Sequence, residues 1–186
     1  MHAVTAPQKQ PVPSPVWPEF NVSQQELPKQ APASIHTPAG IADRILAAAF
    51  AEIQARDAFL WAAETHTDAP ATLREIWRRF AVSEQKHLDL LLQRLSELKI
   101  DAKQKAVYPS LWATLTACPS ARNFAWAIAE AEERGRKAAI RFAEQLSQKD
   151  LKTALIFKLI AAEETEHVET AYRYFPKDEP ASIKSF

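Results

Sequence analysis

Four long stretches of the chain place apolar residues at helical spacing, and a few acidic and imidazole side chains interrupt the apolar stripes at regular points. Thr37-Pro38 gives an N-cap hydroxyl followed by proline at the first helical position. From there Ile45, Ala49, Glu52, Arg56, Phe59 and Ala63 recur on one face to about Thr65. Asp68-Ala69-Pro70 breaks the pattern briefly, so the second helix, about Ala71 to Leu98, should run antiparallel to the first. Its stripe is Trp77, Phe80, Leu88, Leu91 and Leu95, with Arg78, Glu75 and Gln93 off it. A third helix runs from about Ala121 to Gln148 on Phe124, Ile128, Ala131, Gly135, Ala138 and Phe142. Lys149-Asp150 turns into a fourth, which ends before Pro176 and carries Ile156, Ile160 and Ala171. The connection from Ile100 to Ser120 could span roughly 65 Å when extended, against roughly 40 Å for the second helix. It can return along the whole bundle and set the third helix parallel to the second. The expectation is an all-α four-helix bundle with one long crossover between helices 2 and 3.

The stripes carry chemistry. Glu84 and His87 lie within that of the second helix, and Glu164 and His167 within that of the fourth. Each pair is a Glu-x-x-His, whose members share a helix face. Glu52 falls on the first stripe. Of the third helix's Glu130, Glu132 and Glu133, Glu132 lies nearest the stripe at about 100° per residue. Glu163, Glu166 and Glu169 point elsewhere. Four carboxylates and two imidazoles facing an apolar core are costly unless paired, and two metal ions remove that cost. The candidate ligands are therefore Glu52, Glu84, His87, Glu132, Glu164 and His167. Glu84 and Glu164 are the expected bridges, His87 and His167 the nitrogen ligands of one metal each, and Glu52 and Glu132 terminal or assisting bridges. Mixed carboxylate and imidazole ligands suit iron or manganese, with zinc as a misloaded alternative. The metal-free alternative is a Glu-Arg-His hydrogen-bond network using Arg56, one turn from Glu52. Gly135 leaves room beside a metal or permits close helix approach. His36 and His66 read as surface residues at segment ends, and His2 belongs to the tail.

Residues 1–36 hold seven of the thirteen prolines, a spacing no helix can run through. This arm either lies along the body through Trp17, Phe20, Val22 and Leu27 or hangs loose. The division is thus arm 1–36, bundle 37–176 and tail 177–186. Lys+Arg and Asp+Glu balance at 23 each, so no bulk charge argues for nucleic acid or an anionic membrane; Arg74, Arg78, Arg79 and Lys86 form one local basic face. Two glycines leave little room for phosphate- or dinucleotide-binding loops. The single Cys118 excludes an internal disulfide framework and a four-cysteine rubredoxin-like site, so electrons would come from another protein. No apolar run reaches membrane-spanning length and residues 1–20 lack a secretory h-region, which together read as cytoplasmic.

These residues resemble the ferritin-like di-metal carboxylate proteins, the superfamily of rubrerythrins and bacterioferritins. More closely, Thr37-Pro38-Ala39-Gly40, Glu52-Ile53-Gln54-Ala55, Ser83-Glu84-Gln85-Lys86-His87, Ser110-Leu111-Trp112, Glu132-Glu133-Arg134-Gly135 and Glu164-Thr165-Glu166-His167-Val168 look like one bacterial ferritin-like family of unknown function. The likeness covers roughly residues 35–175, with a Pro-rich arm before them. Where that family often carries histidine in the first helix and crossover, this chain has Phe50 and Tyr108, and Arg56 replaces an apolar residue. A weaker likeness runs to the tRNA-modifying di-iron hydroxylase of the same superfamily. The leading expectation is a di-iron (or manganese) oxidoreductase that acts on O2 or peroxide and an unknown substrate, supplied by an electron-donor protein and compatible with a homodimer. The alternatives are iron handling (ferroxidase or storage), a tRNA hydroxylase, and a metal-free helical interaction module.

Overall fold

In the computed structural model, residues 11–28 and 31–176 are described. His2, the remainder of the arm and the expected 177–186 tail lie outside the described residues. The fold is all-α apart from one pair of two-residue strands, β1 (Asn21–Val22) and β2 (Ala106–Val107). Its long helices are α1 (Pro38–Thr65), α2 (Ala71–Glu97), α4 (Ala121–Leu146) and α5 (Leu151–Tyr174), with a short α3 (Ser110–Thr116) between α2 and α4.

Local chemistry explains the starts. The Thr37 hydroxyl accepts from the Gly40 amide with Pro38 at the first helical position; Ser120 caps α4 and Asp150 caps α5. α1 is apolar on nearly every side because it is covered from several directions. Pairs of contacts fix the directions. Arg56 meets Gln85 and Glu64 meets Arg78, so α1 and α2 are antiparallel. Lys86 meets Glu163 and Arg94 meets Asp150, so α2 and α5 are antiparallel. Trp126 packs on Tyr172 and Phe142 on Phe157, joining α4 and α5 in the same sense. Phe59 packs on Phe124 while Arg44 lies over Phe142, so α4 also opposes α1.

Residues 98–120, whose reach was reckoned for an extended chain, carry structure of their own. They contain β2 and α3. β2 pairs in parallel with β1 of the arm, in the register Asn21–Ala106 and Val22–Val107. α3 is held from outside: the Gln54 side chain on α1 accepts from the Trp112 amide at 3.1 Å. The described arm lies on the body. Trp17 and Phe20 are buried, the Trp17 indole donates to Asp57 at 2.6 Å, and both rings pack on Phe50. At Gly40 the arm comes close against α1. A Cβ there would lie 1.9 Å from the Ser34 carbonyl oxygen.

His66 departs from the surface expectation. It is buried among Trp61, Trp77 and Phe124, near Asp68. Three elements converge on the α1–α2 turn, whose Asp68 accepts from the Ala121 amide at the start of α4. A segment end on the sequence is therefore an interior position in the fold.

Candidate metal centre

Glu52 comes from α1, Glu84 and His87 from α2, Glu132 from α4, and Glu164 and His167 from α5. All six are buried, Glu84 and His87 completely. Facing positions on four helices bring them together at one level. Two overlapping groups result: Glu52, Glu84, His87 and Glu164, and Glu84, Glu132, Glu164 and His167. Within each group the nearest ligand atoms lie within 4.8 Å of one another. Glu84 and Glu164 are common to both, and each group keeps one imidazole and one further carboxylate of its own.

Both imidazoles turn Nδ1 inward. His167 Nδ1 is 2.9 Å from Glu84 Oε1 and 3.0 Å from Glu164 Oε2. His87 Nδ1 is 3.2 Å from Glu164 Oε1 and 3.5 Å from both Glu52 Oε2 and Glu84 Oε2. None of these contacts has hydrogen-bond geometry. Both oxygens of Glu84 and of Glu164, one oxygen of Glu132 and both Nδ1 atoms are buried without a hydrogen-bond partner. Such atoms are rare in folded proteins and costly. They gather in two compact groups whose members lie within 4.8 Å of one another, close enough for each group to hold a metal ion.

The electrostatics agree. Burial first, then the charges of Glu164 and Glu52, hold the Glu84 carboxyl well above the usual carboxylate range. Burial, then Glu164 and Glu84, does the same to Glu132. Burial also opposes ionisation of Glu164, but its contacts with His167 and His87 outweigh it and hold that carboxyl low. Burial disfavours the charged imidazoles, yet Glu164 foremost holds His87 and His167 above the usual imidazole range. The metal-free centre thus retains protons on groups that would be ligands. Two divalent cations would balance four ionised carboxylates and leave both imidazoles neutral, so the residues present fit such a pair.

Around the centre, His87 Nε2 lies 3.0 Å from Glu163 Oε2, and Glu163 Oε1 is 2.5 Å from Lys86 Nζ. When the imidazole is neutral, a carboxylate on that side keeps its proton on Nε2 and the Nδ1 lone pair inward. Glu163 was expected to point elsewhere, and this is a correction: α5 lies against α2 on the side where Lys86 and His87 project. The signal in the sequence was weak: Lys86 sits just before His87 of one motif and Glu163 just before Glu164 of the other. Arg56 bonds Asp57 at 2.7 Å and Gln85 at 2.5 Å, leaving the Glu-Arg-His network without its cation. Glu133, with a pKa of about 2, is held by Arg136 and Lys137, and Glu130 is exposed, which leaves Glu132 as the inward carboxylate of α4. In the local basic face, Arg78 pairs with Glu64 and Glu75, and Lys86 with Glu163.

This arrangement sits inside a matched family. Residues 2–179 match the family described as Protein of unknown function (DUF455). The chain belongs to it. No curated protein and no solved structure matches the chain. In this DUF455 chain the Phe50 position serves the arm, whose Trp17 and Phe20 rings it supports. Gly135 does not mediate close helix approach: a Cβ there would meet nothing within 4 Å, and the residue lines a cavity beside Glu132. No helix among the described residues is long and apolar enough to cross a membrane.

Proposed function

We propose that α1, α2, α4 and α5 form a ferritin-like four-helix bundle holding two iron or manganese ions, and that the protein is an oxidoreductase using O2 or peroxide. The connectivity supports the architecture. α2 and α4 both oppose α1 and both oppose α5. They therefore run the same way, which supports residues 98–120 returning along the bundle as its crossover. The observation that carries the metal reading is the set of seven convergent, buried, unpartnered side-chain atoms of Glu84, His87, Glu132, Glu164 and His167.

A pair of such ions, when bound, supplies the electrons that reduce O2 or peroxide. The chain's own residues do the rest. Glu84 and Glu164, shared by both groups, would bridge; His87 and Glu52 would complete one position, His167 and Glu132 the other. Glu163 orients His87 and Lys86 holds Glu163. Phe80 and Phe59 hold the His167 ring at centroid distances of 4.0 and 5.7 Å. The buried surroundings exclude bulk water and favour charge neutrality at the centre.

The test is metal content by mass spectrometry after expression in iron-replete medium. Two metal ions per chain, lost in Glu84→Ala, is the expected result. No bound metal after anaerobic reconstitution with iron and with manganese would sink the reading.

A further inference from the structure

Between α1 and α4 a cavity of about 360 Å³ opens beside the ligand carboxylates of Glu52, Glu132 and Glu164. Alanines of α1 and α4 and Gly135 leave the space between the two helices unfilled, and Leu111, Phe142, Phe157 and Ile160 complete the apolar lining. Arg44 lies at the other end. Arg44 precedes Glu52 by eight residues on α1, about 12 Å along the axis. On the facing helix Phe142 sits 5.8 Å from the Arg44 guanidinium, and Glu132 is ten residues earlier, about 15 Å, so the two walls span comparable intervals. The cavity is a slender apolar channel with carboxylates that would hold metal at one end and a guanidinium at the other.

The charges at the Arg44 end do not cancel. Asp43 also lines the cavity and feels the charge of Arg44, but its contacts go to Lys105 and the Ala33 amide, so two cations face one carboxylate at this end. Arg44 Nη1 donates to the carbonyls of Ala33 at 2.5 Å and Gly40 at 3.2 Å, which fix the guanidinium without neutralising it. Ala33 belongs to the arm and Pro32 lines the cavity, so the docked arm shapes this end. A guanidinium positioned by neutral acceptors on apolar surroundings is a carboxylate- or phosphate-binding group.

We propose that this channel is the substrate site, and that its substrate is a slender molecule with an apolar body and one anionic end. The anion pairs with Arg44 and the far end of the body lies against Glu52 and Glu132. At the roughly 30 Å³ that a water molecule occupies in the liquid, the volume holds on the order of a dozen non-hydrogen atoms. A medium-chain carboxylate fits. This rests on the reading of the centre given above for its reactive end, but the channel's selectivity can be measured without turnover.

The full-length protein, with metal content measured on every sample, is titrated calorimetrically with decanoate, decanol and decylamine. In metal-loaded samples, where the carboxylates at the far end are neutralised, decanoate should bind about tenfold or more tightly than decanol, with decylamine weakest. Arg44→Gln should bring decanoate down to the level of decanol and leave decanol unchanged, while Arg44→Lys keeps part of the preference. Gly135→Leu, which drives a side chain into the open space, should abolish binding of all three probes at unchanged metal content. Equal binding of decanoate and decanol by the wild type overturns the anionic end. Binding that survives Gly135→Leu, or no binding of any probe, overturns the channel. A chain that binds decanoate selectively yet holds no metal would refute the oxidoreductase reading and leave the site standing.

Discussion

The two halves of the candidate centre use the same residue types but are supported differently. At the His87 end, the imidazole is fixed by a polar chain, Nε2 to Glu163 and Glu163 to Lys86. At the His167 end, the ring is wedged against Phe80 and Phe59. A hydrogen-bonded carboxylate sets the tautomer and raises ligand basicity; aromatic packing fixes a plane but leaves the ring's electronics alone. The halves should therefore hold metal with unequal strength, tighter at His87. They remain linked because Glu84 and Glu164 belong to both.

That sharing makes the largest prediction. Glu84→Ala should empty both positions, whereas Glu52→Ala and Glu132→Ala should each weaken chiefly one. With metal at about 1,000 times its Kd, binding stabilises the fold by about 4 kcal/mol. The metal-dependent rise in melting temperature should vanish in Glu84→Ala and persist in part in the other two. Loss of a single ion in Glu84→Ala would show that the halves do not share it.

Next in size is the pH dependence of loading. Glu84 and Glu132 are held above the usual carboxylate range and His87 and His167 above the usual imidazole range. All four therefore keep protons to higher pH in the metal-free state than free side chains would. Metal must displace those protons, so apparent affinity should rise with pH through and above the ordinary imidazole value of 6.5. Glu164, held low, contributes no proton to the exchange. Calorimetry in two buffers of different protonation enthalpy should report net proton release on binding. Uptake, or no exchange, would contradict the charge arrangement described above.

Glu163→Gln addresses the inequality directly. Glutamine keeps the shape and can still accept from Nε2, but it removes the charge beside His87 and the ion pair with Lys86. A lost outer carboxylate weakens metal binding by about 10- to 100-fold, and here the loss should fall on the His87 half alone. Stepwise metal titration of the variant should show the tighter step weakened and the weaker step unmoved. If both steps shift together, the two supports are not independent.

The different supports of the two halves were not legible in the sequence, although the inward facing of the six residues was. Each Glu-x-x-His declares its own facing, because residues three apart share a helix face whatever packs against it. Glu52 and Glu132 followed from the same 3.6-residue period, as did the ends of the long helices to within a few residues. Glu163 sits one residue from Glu164, about 100° around α5, and so falls off the core stripe. It serves His87 only because α5 lies against α2, which no single-helix pattern reveals. α3 is seven residues long and anchored by Gln54 of another helix, too short to show a period. His66 is buried by rings from α1, α2 and α4, an outcome of how the helix ends meet. What one helix dictates was readable, and what two neighbours create was not.

The smallest effect tests whether the His167 half is open on its Glu132 side. Gly135 is one turn from Glu132, lies inside α4 with no positive φ, and has no atom within 4 Å of where a Cβ would be. Alanine there removes backbone freedom from the unfolded chain and adds a methyl to empty space. Gly135→Ala should therefore stabilise the metal-free protein by about 0.5–1 kcal/mol, read from denaturant midpoints at unchanged slope. Both steps of the metal titration should keep their affinities, since the methyl stays clear of Glu132. A stabilised fold with a weakened second step would mean that Glu132 moves toward α4's glycine on loading. The cavity would then serve the ligand's own movement as well as any substrate.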